Sequence, residues 1–462
     1  MISNVCVQGL GFVGSAMAVA VADARSLDGT PCYQVVGVDR DTKEGRRRVA
    51  SLNTGHFPFS SGDKKLLEAT ENAHNSNNLC ATIDEDVYSE ADIIVVDIGL
   101  DIPFTDEIPQ LEMVDFENAL RSVFARAKPG SLVLIETTVP PGTCEKLIAP
   151  IKSEVLRLRG LPEDAVFLAH SFERVMPGNS YLDSIKNYWR VYAGETPEAA
   201  RKCRVFLENV INTEEYPLTH LTSMTASETA KVMENTYRAV NIAFIDEWTK
   251  YAETVGIDLF EIIDAIRKRP THNNMMFPGL GVGGYCLTKD PAFAPAATRQ
   301  LFKCEQNEFP FSRLAINVNQ QMPCHSFDRL SELFCGQLQR IRILIMGVSY
   351  RQNVGDTRYT PVELLVRLLE EQSAIVSIYD PLVEEWPEMR RDILKELPQA
   401  DDYDAVVFSV PHDQFRKIVL ADWLKDSNSL ILDACNVLSA AARTQCRQMG
   451  NQVESIGRGK GL

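Results

Sequence analysis

The sequence predicts an α/β protein in which two doubly wound units are joined by a long central helix. Three observations predict it. Nearly all-apolar strands alternate with helical stretches in both the first and the last third. A G-x-G-x-x-G run stands between the first strand and the first helix, and residues 225–255 contain neither Pro nor Gly. The expected boundaries are 1–212, 213–312 and 313–462, with the central segment helical.

The elements follow in order. Val5-Cys-Val-Gln8 is a short apolar strand, Gly9-Leu-Gly11-Phe-Val-Gly14 follows at once, and 15–24 is Ala/Val-rich and helical in character. In this order Gly9 makes the tight turn, Gly11 lets a pyrophosphate approach the backbone, and Gly14 lets helix and strand pack closely. Phe12 and Val13 lie in the same turn, whose free N–H groups face an anion. A second strand, Tyr33 to Val38, ends at Asp39, where a carboxylate grips the adenosine ribose hydroxyls. The pattern predicts NAD, although Arg40 alongside could meet a 2′-phosphate.

Ala91 to Val96 and Ser131 to Ile135 continue a parallel sheet of a Rossmann-like domain. Ligands bind beyond the carboxyl ends of such strands. Thr137 and Thr138 stand at one of those ends, as candidate hydroxyl donors to nicotinamide or substrate. Asp97 and Asp101 are read as caps or as acceptors at the cofactor edge, so no metal is expected.

Residues 225–255 read as one helix of roughly 45 Å, with Ala226, Ala230, Met233, Tyr237, Val240 and Phe244 as an apolar stripe. That length suits a connector and a dimer interface. Lys231 and Asn235 share a face of it. Alone, such a pair is ordinary helix surface.

The most informative segment is Phe277-Pro-Gly-Leu-Gly-Val-Gly-Gly-Tyr-Cys286-Leu-Thr-Lys-Asp290. Gly281, Gly283 and Gly284 let backbone approach a ligand. Cys286 stands directly after them, and on a helical turn Asp290 would share its face. Thiol and carboxylate beside a Gly-rich loop suit covalent catalysis next to a phosphate or sugar, while a buried small thiol in a tight turn is the plainer alternative.

The last third is a second Rossmann-like unit, with strands at 342–347, 375–379, 405–410 and 430–433 and a helix opening at Thr360-Pro361. It lacks the glycine fingerprint. Arg351, Asp356 and Arg358 cluster after its first strand, where basic side chains could meet phosphates.

Whole-chain properties exclude other classes. The net charge of −16 argues against a nucleic-acid partner. No apolar run is long enough to span a membrane. Met1-Ile-Ser-Asn-Val enters a strand without a basic segment, so no signal peptide and a cytoplasmic location are expected. The 11 cysteines contain no C-x-x-C pair, which suits reduced thiols.

On these motifs, together with Glu136-Thr-Thr-Val-Pro-Pro-Gly, Glu173-Arg174-Val-Met-Pro-Gly178 and Gly347-Val-Ser-Tyr-Arg351, the chain resembles the nucleotide-sugar 6-dehydrogenases, the UDP-glucose, UDP-N-acetylglucosamine and UDP-N-acetylmannosamine group. The resemblance runs over essentially the full length. It implies NAD-dependent four-electron oxidation of a UDP-sugar C6 hydroxyl to the uronic acid. Cys286 is the implied nucleophile, carrying a thiohemiacetal and then a thioester. Lys231 and Asn235 would stabilise the oxyanion, Asp290 would hold Lys231 or a water, Glu173 would be the base for hydrolysis and Thr138 would orient its water. Arg174, Gly281, Gly283, Gly284, Arg351 and Arg358 are the implied substrate contacts. A homodimer or higher homo-oligomer is implied.

Departures from the family pattern fall at Phe172, Asp97, Asp101, Tyr285, Thr288-Lys289 and Arg351. None touches Cys286, Lys231, Asn235 or Asp290, but they bear on which sugar fits. The helix segment from Glu228 leans toward a UDP-N-acetylhexosamine, with UDP-glucose as the alternative sugar. A two-electron enzyme of the β-hydroxyacid dehydrogenase type is the further alternative, and it needs no loop cysteine.

Overall fold

In the computed structural model, residues 2–100, 104–105, 108–175 and 178–461 are described. The chain forms two compact units, one of Met1–Glu234 with Ala292–Phe309 and one of Asn235–Pro291 with Pro310–Leu462.

The first unit carries β1 (Ser3–Gln8), β2 (Tyr33–Val38), β3 (Leu79–Thr82), β4 (Ile93–Val96), a small ribbon of β5 (Phe104–Thr105) and β6 (Ile108–Pro109), β7 (Leu132–Ile135), β8 (Phe167–His170), β9 (Val191–Gly194) and β10 (Thr219–His220). Its sheet runs β10-β9-β8-β7-β4-β1-β2-β3. The stretch from β3 to β8 is parallel, and β9 lies antiparallel to β8. Ile-Ile-Val-Val in β4 and Leu-Val-Leu-Ile in β7 suit strands covered on both faces by helices. Chain order reverses between β1 and β4, the point where such sheets bind ligands. The register aligns Gln8, Val96, Ile135 and His170. The residues just past these strand ends, Gly9, Asp97, Glu136 and Ser171, therefore stand in one row.

A helix of 32 residues, Met224–Val255, runs from this unit into the second. Lys231 and Asn235, which resemble ordinary surface in isolation, are buried at 7% and 6% exposure. Ser227 and Glu228 are buried on the same helix, whereas Met233, Tyr237 and Phe244 of the apolar stripe face solvent. The polar site residues, not the stripe, occupy the inward face.

The second unit carries β11 (Arg342–Met346), β12 (Ile375–Tyr379), a ribbon of β13 (Glu385–Trp386) and β14 (Arg391–Asp392), β15 (Ala405–Phe408), β16 (Leu430–Asp433) and β17 (Val453–Ser455). Its parallel sheet runs β12-β11-β15-β16-β17. This is a doubly wound order with its switch point between β11 and β15. The helix expected at Thr360-Pro361 begins at Val362, whose N–H donates to Thr360 Oγ1 at 3.3 Å. Among the described residues no helix is long and apolar enough to cross a membrane.

Candidate active site

The three fingerprint glycines have three different surroundings. Gly9 has φ +92°, and a Cβ there would sit 2.5 Å from the Asp97 carbonyl oxygen. A Cβ on Gly14 would lie 1.9 Å from the Gly9 carbonyl oxygen. Around Gly11, which caps the helix Phe12–Ala22, no atom of the described residues lies within 4 Å of a built Cβ. Turn, close packing and open backbone fit a dinucleotide pyrophosphate at the helix N-terminus. Phe12 stacks on Tyr181 with centroids 5.0 Å apart, and Val13 is half-buried beside it.

Asp39 stands at the end of β2, where its Oδ2 accepts from Arg48 Nη1 at 3.0 Å and its Oδ1 from the Arg40 backbone N–H at 2.8 Å. The Arg40 side chain is exposed. Thr137 donates its hydroxyl to the Ile98 carbonyl at 2.9 Å, with the Val96 carbonyl at 3.2 Å. That donor is occupied by the strand end, leaving the oxygen as an acceptor. Thr138 is half-buried next to it.

Behind this turn Asp97, Glu173 and Lys231, named from the sequence, are joined by Arg190 and His170, which sequence patterning did not single out. Glu136 pairs with Arg190 at 2.6 Å, both fully buried, although 54 residues separate them. Lys231 Nζ donates to the Glu173 carbonyl at 2.8 Å and lies 3.4 Å from its Oε1. Glu173 Oε2 accepts from the Val175 N–H at 2.5 Å. Burial pushes the Asp97 carboxyl well above the usual range, the charges of Glu136 and Glu173 push it further, and Arg190 and Lys231 pull it back. Glu136 is also raised by burial, against the pull of Arg190. Among the described residues Asp97 Oδ2 and Glu136 Oε2 have no hydrogen-bond partner. His170 Nδ1 meets Ser227 Oγ at 2.8 Å, and burial, helped by the Lys231 charge, lowers its pKa to about 3.

Asp101 lies outside the described residues. Among the described residues no three His, Cys, Asp or Glu side chains are grouped to hold a metal. Arg174, expected at the substrate, donates to Glu234 Oε2 at 3.1 Å and to the Trp189 carbonyl at 2.7 Å.

In the second unit Cys286 is exposed. The Asp290 N–H donates to the Cys286 carbonyl at 2.9 Å, and Thr288 Oγ1 donates to the Gly284 carbonyl at 2.8 Å. The backbone forms the expected turn, but the side chains part: Asp290 is fully buried. Its carboxylate accepts from Asn235 Nδ2 at 2.6 Å and Lys289 Nζ at 3.0 Å. Asp290 thus holds Asn235 and Lys289, and Lys231 meets Glu173. Lys289 is one of the departures expected not to touch Cys286, Lys231, Asn235 or Asp290, but it pairs directly with Asp290, and it also lies 4.5 Å from the Tyr285 ring centroid.

The loop glycines have a packing cause. A Cβ on Gly281 would lie 2.6 Å from Pro361 Cβ, on Gly283 2.8 Å from the Tyr359 carbonyl oxygen, and on Gly284, at φ +82°, 2.6 Å from the Tyr350 ring. They bring the cysteine loop onto 350–361, so a ligand is not needed to explain them. Burial pushes the Tyr350 hydroxyl up to about 12. Arg358 is forked onto Asp356, at 2.6 Å through Nη2, while Arg351 is exposed.

Three domain descriptions of one family match this chain in order. They are the UDP-glucose/GDP-mannose dehydrogenase family NAD binding domain over residues 3–211, its central domain over 225–321 and its UDP binding domain over 344–440. The chain belongs to this family. It is an NAD-dependent nucleotide-sugar dehydrogenase, an oxidoreductase. It is 28% identical to a UDP-N-acetyl-D-mannosamine dehydrogenase of Methanocaldococcus jannaschii, covering 99% of this chain and 97% of that protein. It is 27% identical to an NDP-N-acetyl-D-galactosaminuronic acid dehydrogenase of Ralstonia nicotianae, over 90% of this chain and 92% of that one. Among solved structures it is similar to the UDP-D-ManNAc dehydrogenase of Pyrococcus horikoshii, with TM-score 0.81, 24% identity and coverage of 98% and 99%. The NDP-N-acetyl-D-galactosaminuronic acid dehydrogenase of Methanosarcina mazei gives TM-score 0.77, 27% identity and coverage of 99% and 95%.

In this dehydrogenase the NAD binding domain holds Gly9, Gly11, Gly14, Asp39, Thr138 and Glu173. The central domain holds Lys231, Asn235, Cys286 and Asp290, and the UDP binding domain holds Arg351 and Arg358. The central domain is divided between the two compact units, with 235–291 and 310–321 in the second.

Proposed function

We propose that this dehydrogenase oxidises the C6 hydroxyl of a UDP-N-acetylhexosamine to the carboxylate in two successive two-electron steps. The observation that carries the reading is the loop pairing an exposed Cys286 with a buried Asp290 that orients Asn235. The names of the relatives at 27% and 28% identity support an N-acetylated sugar.

The turn at Gly9, Gly11 and Gly14 together with Asp39 would hold NAD, which when bound would supply the hydride acceptor for each oxidation. The first oxidation leaves an aldehyde at C6. The Cys286 thiolate forms a C–S bond to that carbon, and the oxygen takes a proton to give a thiohemiacetal. Loss of a hydride and the hydroxyl proton then gives a thioester. A thiol suits both steps, because its adduct can still lose hydride and its ester is labile. Lys231 Nζ and Asn235 Nδ2 offset the negative charge developing on the sugar oxygen. Glu173 takes a proton from the attacking water, which Thr138 orients. The C–S bond breaks and the sulfur leaves as thiolate.

The test is NADH formed per UDP-sugar consumed, on UDP-N-acetylglucosamine, UDP-N-acetylmannosamine and UDP-glucose in parallel. Two NADH on an N-acetylated substrate are expected. One NADH per sugar would overturn the covalent reading, and turnover on UDP-glucose alone would overturn the choice of sugar.

We further propose a homo-oligomer built on the central helix. Tyr237, Phe244, Trp248 and Tyr251 are exposed at 56%, 48%, 43% and 52%. Their alternating spacing of three and four residues, through Asn241, is that of a helix–helix seam.

A further inference from the structure

The second sheet brings two loops to its switch point. One follows β11 and carries Arg351; the other follows β15 and runs through 409–413. Their bases touch: a Cβ on Gly347, at φ +103°, would lie 2.6 Å from Val410 Cβ. Ser409 Oγ donates to the Gly347 carbonyl at 2.6 Å.

One buried pair ties these loops together. Asp380, just past β12, accepts through Oδ2 from the N–H groups of Val348 at 2.8 Å and Ser349 at 3.0 Å, and from Ser349 Oγ at 2.8 Å. His412 Nε2 lies 3.2 Å from the same oxygen, and the Leu382 N–H donates to Oδ1 at 2.9 Å. Both side chains of the pair are fully buried. On the other side of the imidazole, the Asn353 N–H donates to His412 Nδ1 at 2.9 Å. A backbone N–H can only donate, so Nδ1 is bare and Nε2 carries the proton to Asp380. Asn353 takes φ +57°, which asparagine tolerates better than most residues. Its amide exchanges two hydrogen bonds with Asp413, at 2.7 and 3.1 Å, and Gln352 Nε2 adds a third at 2.8 Å.

The arc from Ser349 to Asn353 is thus fastened at one end to Asp380 and at the other to His412, with exposed Arg351 between the two fastenings. We propose that the Asp380–His412 pair is the positioning element of the nucleoside-diphosphate site, holding the arc so that Arg351 is presented to the diphosphate of the substrate. This rests on the UDP-sugar reading of the domain. His412 acts through Arg351 and touches no substrate.

The test is UDP binding by calorimetry on the full chain, with a double-mutant cycle. His412→Ala should weaken UDP by about tenfold, the size of a lost charge-assisted hydrogen bond. NAD affinity should be unchanged. In an Arg351→Ala background the same change should weaken UDP by less than about twofold, because the residue it positions is gone. Unaltered UDP affinity in His412→Ala, or an equal loss in both backgrounds, would overturn the proposal. Where His412→Ala fails to fold, His412→Asn, which keeps an acceptor for the Asn353 N–H, is read by the same cycle. A wild-type chain that binds no UDP would sink the substrate reading instead, so the two failures are distinguishable.

Discussion

Asn235 Nδ2 donates to Asp290 Oδ2 at 2.6 Å, and both side chains are buried. The contact fixes which way the amide points, with the carboxylate itself balanced by Lys289 at 3.0 Å. Asp290→Ala leaves a buried amide and a buried ammonium without this acceptor. Its kcat should fall by about 10- to 100-fold while KM for the UDP-sugar changes little. Asp290→Asn keeps a carbonyl oxygen for Asn235 and should retain more activity than Asp290→Ala. Steady-state kinetics on the two variants check the order.

Lys231 is the charged partner on the same helix, held by the Glu173 carbonyl at 2.8 Å. Losing one oxyanion donor costs about a hundredfold or more in kcat. Lys231→Ala should show at least that loss, and unchanged turnover would remove its assignment. Cys286→Ala should leave no protein-bound sugar ester when the quenched enzyme is examined by mass spectrometry.

Gly14 tests the cofactor turn. A Cβ would meet the Gly9 carbonyl oxygen at 1.9 Å, and that atom belongs to backbone that cannot rotate away. Gly14→Ala should therefore weaken NAD by about tenfold or more while UDP binding is retained. Equal affinities for NAD by calorimetry would contradict this role.

The cofactor turn was legible because its three glycines stand at a fixed spacing between a strand and a helix, although Gly9 also answers to the distant Asp97 carbonyl. The cysteine loop was legible as a turn, but not in its packing: its glycines answer to Pro361, Tyr359 and Tyr350, which are distant in sequence. The Glu136–Arg190 pair has the same cause, since no spacing rule links a strand end to a residue 54 positions on. Taken alone, Lys231 and Asn235 read as surface because helical periodicity assigns polar residues outward, and only the family motif placed them in the site. β17 is not marked by the strand pattern, for a related reason. Val-Glu-Ser carries a charge inward, and buried Glu454 is met there by Arg329 at 3.0 Å.

The exposed seam on the central helix predicts an oligomer that one charge disrupts. Trp248→Glu places a carboxylate in the middle of the apolar row Tyr237, Phe244, Trp248 and Tyr251. Light scattering should show the wild type at twice the 51.6 kDa chain mass or more. The variant should run as a monomer, and a monomeric wild type would contradict the seam.

The buried row behind the cofactor turn predicts two opposite responses to pH. His170, lowered to about 3, resists a proton that the unfolded chain accepts near pH 6.5. Its contribution is present above that value and is lost as pH falls through the window toward 3, so the wild type should weaken there. Asp97 runs the other way. Burial and the neighbouring Glu136 and Glu173 raise it, so the folded chain keeps a proton that the unfolded chain releases above about pH 4. Its contribution is present below that value and is lost as pH rises toward its folded pKa. Asp97→Asn copies the protonated side chain and removes that loss. Urea unfolding should show Asp97→Asn more stable than wild type at pH 7.5 and the gap closing toward about pH 4. For His170→Asn the difference from wild type should shift in the opposite sense, with the wild type losing ground below about pH 6.5. An Asp97→Asn chain less stable than wild type at pH 7.5 would mean that the carboxylate is ionised and held by Arg190 or Lys231.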